Sequence, residues 1–286
     1  MPWLTPSATL TTLVGGLGFA EAPRWHQGRL WFSDFFQAQV MSVDMAGDLR
    51  VECTVPHSPS GLGWRPDGSL LVVSMHDRRL LALRDGGLQC VADLSPQVGG
   101  HCNDLLVDAA GRAYVGNFGF DLYAKAPVRS TQLMRVDPDG SLHVAATEVT
   151  FPNGMALTPD GRTLVVAETH AQRLTAFDVD DKGGLSGRRV WADLTGTFPD
   201  GLCLDAEGAI WVADARGHRV LRVMEQRGVV QTIPTGERGS FACMLGGADG
   251  RTLFICTAPA FGPEAGARRE GRIEFTQVTV PHAGRP

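Results

Sequence analysis

The sequence predicts an all-β fold, a six-bladed β-propeller, on three observations. One short phrase recurs six times, its period sits in the forties, and no window holds an apolar stripe of helical period for three turns. The phrase is an apolar run, a tight turn around a glycine, and a second apolar run. Its turn glycines are Gly28, Gly68, Gly111, Gly161, Gly208 and Gly250, spaced by 40, 43, 50, 47 and 42 residues. That period suits four-stranded blades and is too long for leucine-rich or ankyrin units. Six phrases imply six blades.

Taken in order, the segment ATLTTLV near the N-terminus has no partner within a repeat of its own. Its simplest place is an edge strand on the sixth blade, stitching the ring shut. Each repeat then opens with two strands joined at a turn such as HQGR, PDGS or AEGA, because Asp-Gly and its relatives tolerate the positive φ that hairpin turns need. The second strands LLVVS, TLVVA, AIWVA and TLFIC are short apolar runs, as expected where both faces of a sheet are covered. A third strand follows in QVMSVD, RLLALR, QLMRVD, RLTAFDVD and RVLRVM, whose imperfect alternation places it nearer the outside. The last repeat is interrupted by a loop, 259–270, before GRIEFTQVTV. Gly and Pro interrupt the chain so often that no helix is expected. The repeats run end to end without a linker, which makes residues 1–286 one domain.

Composition narrows the function. Thirty-five glycines suit a protein built of turns, and 43% apolar residues suffice to fill the contacts between blades. A net charge of −5 and the lack of a basic stripe with interleaved aromatics argue against a nucleic-acid surface. The densest basic stretch, ARREGR at 267–272, reads better as a solvated loop than as a phosphate patch. MPWLTPSATL has neither a basic start nor an apolar core, so no signal peptide is expected, and no apolar run is long enough for a bilayer. Six cysteines form no CxxC pair, and several sit inside apolar strands; the expectation is a reduced, cytoplasmic setting. Cys102, between His101 and Asn103, is weighed as a nucleophile against the better-supported reading as a buried thiol.

Equivalent positions in a ring converge on its axis, because each innermost strand begins at one mouth of the central channel. Eight residues before the turn glycine stand Ser60, Asn103, Asn153, Asp200 and Ala242; in the first blade the offset is seven and the residue Glu21. Asn or Asp before Gly is a common turn former, so FPNG or FPDG alone reads more readily as a turn than as a ligand. Four oxygen-bearing side chains at one repeat phase form a different pattern. Two carboxylates and two amides around a narrow channel suit a hard divalent cation such as calcium, and the carboxylates would repel each other without one.

The phrases GFAEAPRW, HCNDLLVDAAGRAYVGN, FPNGMALTPDGRTLVVAET, FPDGLCLDAEGAIWVADARGHRVLRV and FACMLGGADGRTLFICTA together resemble the SMP-30/gluconolactonase/regucalcin-like (LRE) family of six-bladed propellers, over nearly the whole chain. The resemblance implies a central metal site in which Glu21, Asn153 and Asp200 hold one divalent cation, with Asn103 beside it contacting substrate or water. It also implies hydrolysis of lactones, some relatives cleaving phosphotriesters, and a variable ion: calcium first, zinc or manganese as alternatives. On this reading Asp200 and Asn103 are the catalytic residues, Asp200 accepting the proton of the attacking water and Asn103 orienting water or the substrate ester. The partner is a small-molecule lactone or ester.

One departure stands out. Members that handle sugar lactones usually carry Arg two residues before the site Asn, and this chain has His101. Phe19, Phe35, Phe36, Phe118, Phe120, Phe151, Phe198 and Phe241 crowd the segments expected at the rim. Both features point to a substrate with fewer hydroxyls than gluconolactone, contacted by His101, Asn103, Phe118 and Asp121. The loop 119–131 is placed where a lid would form. Asp34, Glu168, His170 and Asp214 end second strands at a common phase, as partners behind the site. The competing readings are a non-catalytic ligand- or protein-binding propeller, and a metal-independent enzyme of the strictosidine-synthase-like branch, which should lack the Glu, Asn-Gly and Asp-Gly set.

Overall fold

The computed structural model describes residues 9–284; residues 1–8, on which most of the leader reading and Ala8 of the first strand fall, lie outside them, as do 285–286. Twenty-four strands make six four-stranded sheets. Five sheets run in chain order from inner to outer strand and cover 20–54, 59–93, 102–149, 152–193 and 199–234. The sixth combines Gly239–Gly246, Thr252–Ala258 and Gly271–Gln277 with Thr11–Leu17, which pairs antiparallel to Gly271–Gln277 at the outer edge. Each inner strand touches the inner strands of the two adjacent blades, and the first touches the sixth. The ring is closed: an all-β, six-bladed propeller.

Local chemistry explains the elements. The first hairpin turns on Gln27 and Gly28, both left-handed at φ 50° and 79°, the geometry a two-residue loop needs to match strand twist. Inner and second strands such as Pro152–Leu157 and Leu70–Ser74 are buried at every residue, whereas the fourth strand Leu49–Thr54 is largely exposed. The core therefore lies between blades. Leu71 and Val73 of blade two pack with Leu105 and Val115 of blade three, and burying one such side chain contributes about 1.5–3 kcal/mol before chain entropy is counted.

Two short helical pieces depart from the expectation of none. Pro263–Arg268 forms an α-helix within the 259–270 loop, begun by a proline and seated on Phe36, where a Cβ at Gly266 would come within 2.3 Å of the ring. Six residues are too few to leave a periodic stripe. A 3-10 turn, Thr169–Ala171, closes on Gln172 in the left-handed region. The basic stretch 267–272 is divided between helix end and strand: Arg268 pairs with Glu270 at 2.9 Å, and Arg269 donates to the Gly16 carbonyl at 3.1 Å.

Candidate functional site

All six inner strands carry the same irregularity. Pairing with the second strand slips by one residue between Glu21 and Arg24, Pro59 and Leu62, Cys102 and Leu105, Pro152 and Met155, Pro199 and Leu202, and Ser240 and Ala242. A bulge turns a side chain off the regular pleat. Here the slips coincide with the repeat phase, and Glu21, Asn103, Asn153 and Asp200 line one cavity of about 350 Å³. Ser60 lies behind it, its hydroxyl donating to Asn103 Oδ1 at 3.4 Å.

The glycines after these residues serve approach rather than turning. Gly61, Gly154 and Gly201 lie within strands and none has positive φ. A Cβ on Gly61 would meet the Leu105 backbone nitrogen at 2.3 Å, on Gly154 that of Leu202 at 2.6 Å, and on Gly201 the Ala242 Cβ at 2.5 Å. Near the axis the inner strands crowd until only hydrogen fits. The turn reading of FPNG and FPDG is thereby replaced by a packing reason. Blade three has Asp104 at the corresponding position, and its carboxylate accepts from Arg24 at 2.9 Å, a buried ion pair in the channel.

Second-strand ends hold the site from behind. Asp34 accepts from the Gly18 and Phe19 amides at 2.7 and 3.0 Å, Glu168 from Thr150 at 2.7 Å, and Asp214 from Phe198 at 3.0 Å. These anchored amides lie two or three residues before Glu21, Asn153 and Asp200. Blade three has Asn117 there, which takes the Gly119 amide at 3.0 Å and the Thr131 hydroxyl at 2.7 Å and so fixes the ends of the long loop instead. Asn153 Nδ2 donates to Thr169 Oγ1 at 3.2 Å, and Thr169 donates onward to the Pro199 carbonyl at 2.7 Å. With its amino group engaged, Asn153 has its Oδ1 left to accept or to ligate.

Electrostatically the floor is strained. Burial pushes the Glu21 carboxyl well above its ordinary range, and the charges of Asp200 and Asp104 push it further, against the Ala22 amide and Arg24. Asp200 is raised by burial and then by Asp104, against the Asn153 amide and the Gly201 N–H. Two carboxyls so placed favour a shared proton or a cation. No group of three His, Cys, Asp or Glu gathers as a metal cluster among the described residues, at this site or at any other. The donors that fit a divalent ion are the hard carboxylate and amide oxygens of Glu21, Asn153 and Asp200, with Asn103 beside them.

The walls are aromatic. Phe19, Phe35, Phe241 and Phe261 meet at centroid distances of 4.6 to 5.5 Å around Phe19, and Phe118 stacks on Phe151 at 4.5 Å. Phe151 holds a left-handed backbone at φ 55°, an uncommon conformation for a bulky residue. Leu122, from the 119–131 loop, lines the cavity, and its neighbour Tyr123 stacks on Phe261 of blade six at 6.0 Å. His101 and Asp121 are not part of the cavity wall; His101 faces His76 at 4.7 Å and Tyr123 at 5.5 Å. Cys102 is buried, with its thiol pushed up to about 12 by desolvation, which leaves it unsuited to nucleophilic attack. Sequence reading missed Thr169, Arg216, His218 and Phe261, all cavity residues on turns or loops outside the repeat phase.

Residues 19–259 match the SMP-30/Gluconolactonase/LRE-like region. Regucalcin of Danio rerio is 32% identical over 218 residues, 75% of this chain and 70% of the relative. The pentonolactonase XacC of Haloferax volcanii is 30% identical over 254 residues, 85% and 82% of the two chains. Among solved structures, a calcium-binding regucalcin from Agrobacterium tumefaciens superposes with a TM-score of 0.83 at 22% identity, covering 98% of this chain and 97% of that one. The chain belongs to the SMP-30/gluconolactonase/LRE-like family.

Proposed function

We propose that the protein is a divalent-metal-dependent hydrolase that opens a lactone or related ester, on a substrate less hydroxylated than gluconolactone. The observation that carries this reading is the convergence of Glu21, Asn103, Asn153 and Asp200, remote in sequence, on the floor of one aromatic-walled cavity. A relative named as a pentonolactonase supports the reaction class. A cation held by Glu21, Asn153 and Asp200 would act as a Lewis acid toward the lactone carbonyl and lower the pKa of water beside it. Asp200, held on a bulge and backed by Asp214, is the group placed to take the proton of the attacking water. Asn103 accepts from Ser60 at Oδ1, which leaves its amide hydrogens to donate to substrate oxygen.

The walls support the substrate preference. A sugar lactone would need donors and acceptors for each hydroxyl, and seven phenylalanines in the lining offer none. Six free cysteines, four of them buried, support a reducing, cytoplasmic setting, and no helix among the described residues is long and apolar enough to cross a membrane.

Hydrolysis of gluconolactone and of a phenyl-substituted γ-butyrolactone, followed with calcium, manganese or zinc and with EDTA, tests the proposal. The phenyl lactone should be opened faster, and EDTA should abolish turnover until metal is returned. Asp200→Ala and Asn153→Ala should each lose about 10³-fold in kcat/KM while retaining the wild-type circular dichroism spectrum. Normal turnover by both variants would remove these residues from the site.

A further inference from the structure

One wall of the cavity differs from the rest. Arg216 lies on the turn between the second and third strands of blade five, exposed at the rim, with its guanidinium 4.3 Å from the centre of the Phe198 ring. The turn is rigid: Asp214 accepts from the Gly217 amide at 3.0 Å, and a Cβ on Gly217 would come within 1.8 Å of the Asp214 carboxylate. Arg216 forms no ion pair or hydrogen bond among the described residues, although neighbouring arginines do: Arg219 pairs with Asp214 at 3.0 Å, Arg173 with Glu168 at 2.9 Å and Arg222 with Asp205 at 2.7 Å. Beside it stands His170, held edge-on by Phe120, Phe151 and Phe198 at 5.6, 5.0 and 6.2 Å. The adjoining wall, from blades six and one, is the apolar group of Phe19, Phe35, Phe241 and Phe261.

From this asymmetry we infer that the cavity takes a ligand with two ends, an apolar ring seated among the phenylalanines and a carboxylate held by Arg216. Resting on the hydrolase reading, this makes the substrate an acidic, ring-bearing lactone. The chemistry is specific to a planar fork. A guanidinium stacked on Phe198 has its edge free, and two parallel N–H donors match the two oxygens of a carboxylate. Stacking restrains the side chain before binding, which lowers the entropic cost of the contact. His170, which like Arg216 stands against Phe198, supplies a neutral donor or acceptor on the same side. The carboxylates of Glu21 and Asp200 line the same cavity, and a cation held there would offset their repulsion of the incoming anion.

The test uses two non-hydrolysable lactams, each a five-membered ring carrying a phenyl group, one with a para-carboxylate and one without. Calorimetry on the calcium-loaded protein should give the carboxylated compound a Kd about fivefold lower, an advantage that shrinks with added salt. Arg216→Gln should bring the ratio of the two Kd values to about one, and Arg216→Lys should restore part of it. Collapse of the wall would weaken both compounds together and leave their ratio intact, so the ratio reports charge recognition rather than folding. A wild-type ratio near one, or a ratio unchanged in Arg216→Gln, would overturn the inference. The matching lactones are assayed for turnover alongside. Selective lactam binding without lactone opening would remove the hydrolase reading and keep the anion end of the cavity, whereas opening of both lactones at equal rates with equal lactam binding would do the reverse.

Discussion

Glu21 and Asp200 are buried carboxyls raised by burial and by neighbouring negative charge, and the sign of that shift makes a prediction. Both carboxyls have folded-state pKa values raised above the unfolded range, chiefly by burial. The stability they contribute is therefore full below the unfolded pKa, near pH 4, and is lost as pH rises through the folded values. In EDTA the wild-type protein should lose stability as pH is raised from 4 toward neutrality, and Asp200→Asn should flatten that slope and melt at higher temperature than wild type at pH 7. Adding millimolar calcium should raise the wild-type Tm by several degrees and barely move the variant. Thermal scans across pH with and without calcium decide it; a steeper fall in the variant would contradict the account. The residues behind this shift were legible because repeat phase alone aligned Glu21, Asn103, Asn153 and Asp200. Thr169 and Arg216 were not, since they stand on turns whose lengths differ from blade to blade and share no phase with anything else.

At the level of the strand, the six coincident bulges and the three close-approach glycines are one device. The bulge aims the polar side chain at the axis, and the glycine after it lets the next blade come near enough for the side chains to meet. Gly154→Ala and Gly201→Ala should each destabilise by about 1–3 kcal/mol through overpacking, because the atoms they would strike belong to neighbouring backbone or to Ala242 and cannot swing away. Gly87→Ala is the control: its Cβ would meet only the Arg84 carbonyl at 3.8 Å, and the effect should stay within about 0.5 kcal/mol. Urea unfolding of the three variants makes the comparison. The sequence shows these glycines but not their reason, since Asn-Gly and Asp-Gly are read as turns until neighbouring strands are placed. Hairpins were legible from their turn glycines. Outer strands such as Leu142–Val149 were not, because an exposed edge leaves weak patterning, and Pro263–Arg268 was too short to show a period.

For the whole molecule, the closing contact joins the two ends of the described chain. Thr11–Leu17 pairs with Gly271–Gln277 through five residue pairs interrupted by two bulges, as Thr11 with Phe275 and Leu17 with Gly271 show. Leu17 is buried, and Leu10, Leu13 and Val14 pack against the core shared by blades one, five and six. Arg269 adds a bond to the Gly16 carbonyl. A propeller has no hub of its own; its stability is the sum of blade-to-blade contacts, and a sheet that loses its outer strand weakens the contacts on both of its sides. Deleting residues 1–17 removes one fully buried leucine and three partly buried apolar side chains, a loss of several kcal/mol, which for a chain of this size corresponds to a fall in Tm of about 5–15 °C. It also bares the backbone edge of Gly271–Gln277, a template for pairing with another copy. Calorimetry should show the lower transition and sedimentation should show association of the truncated protein. An unchanged Tm with the same sedimentation as the full chain would mean that the ring holds without its closing strand.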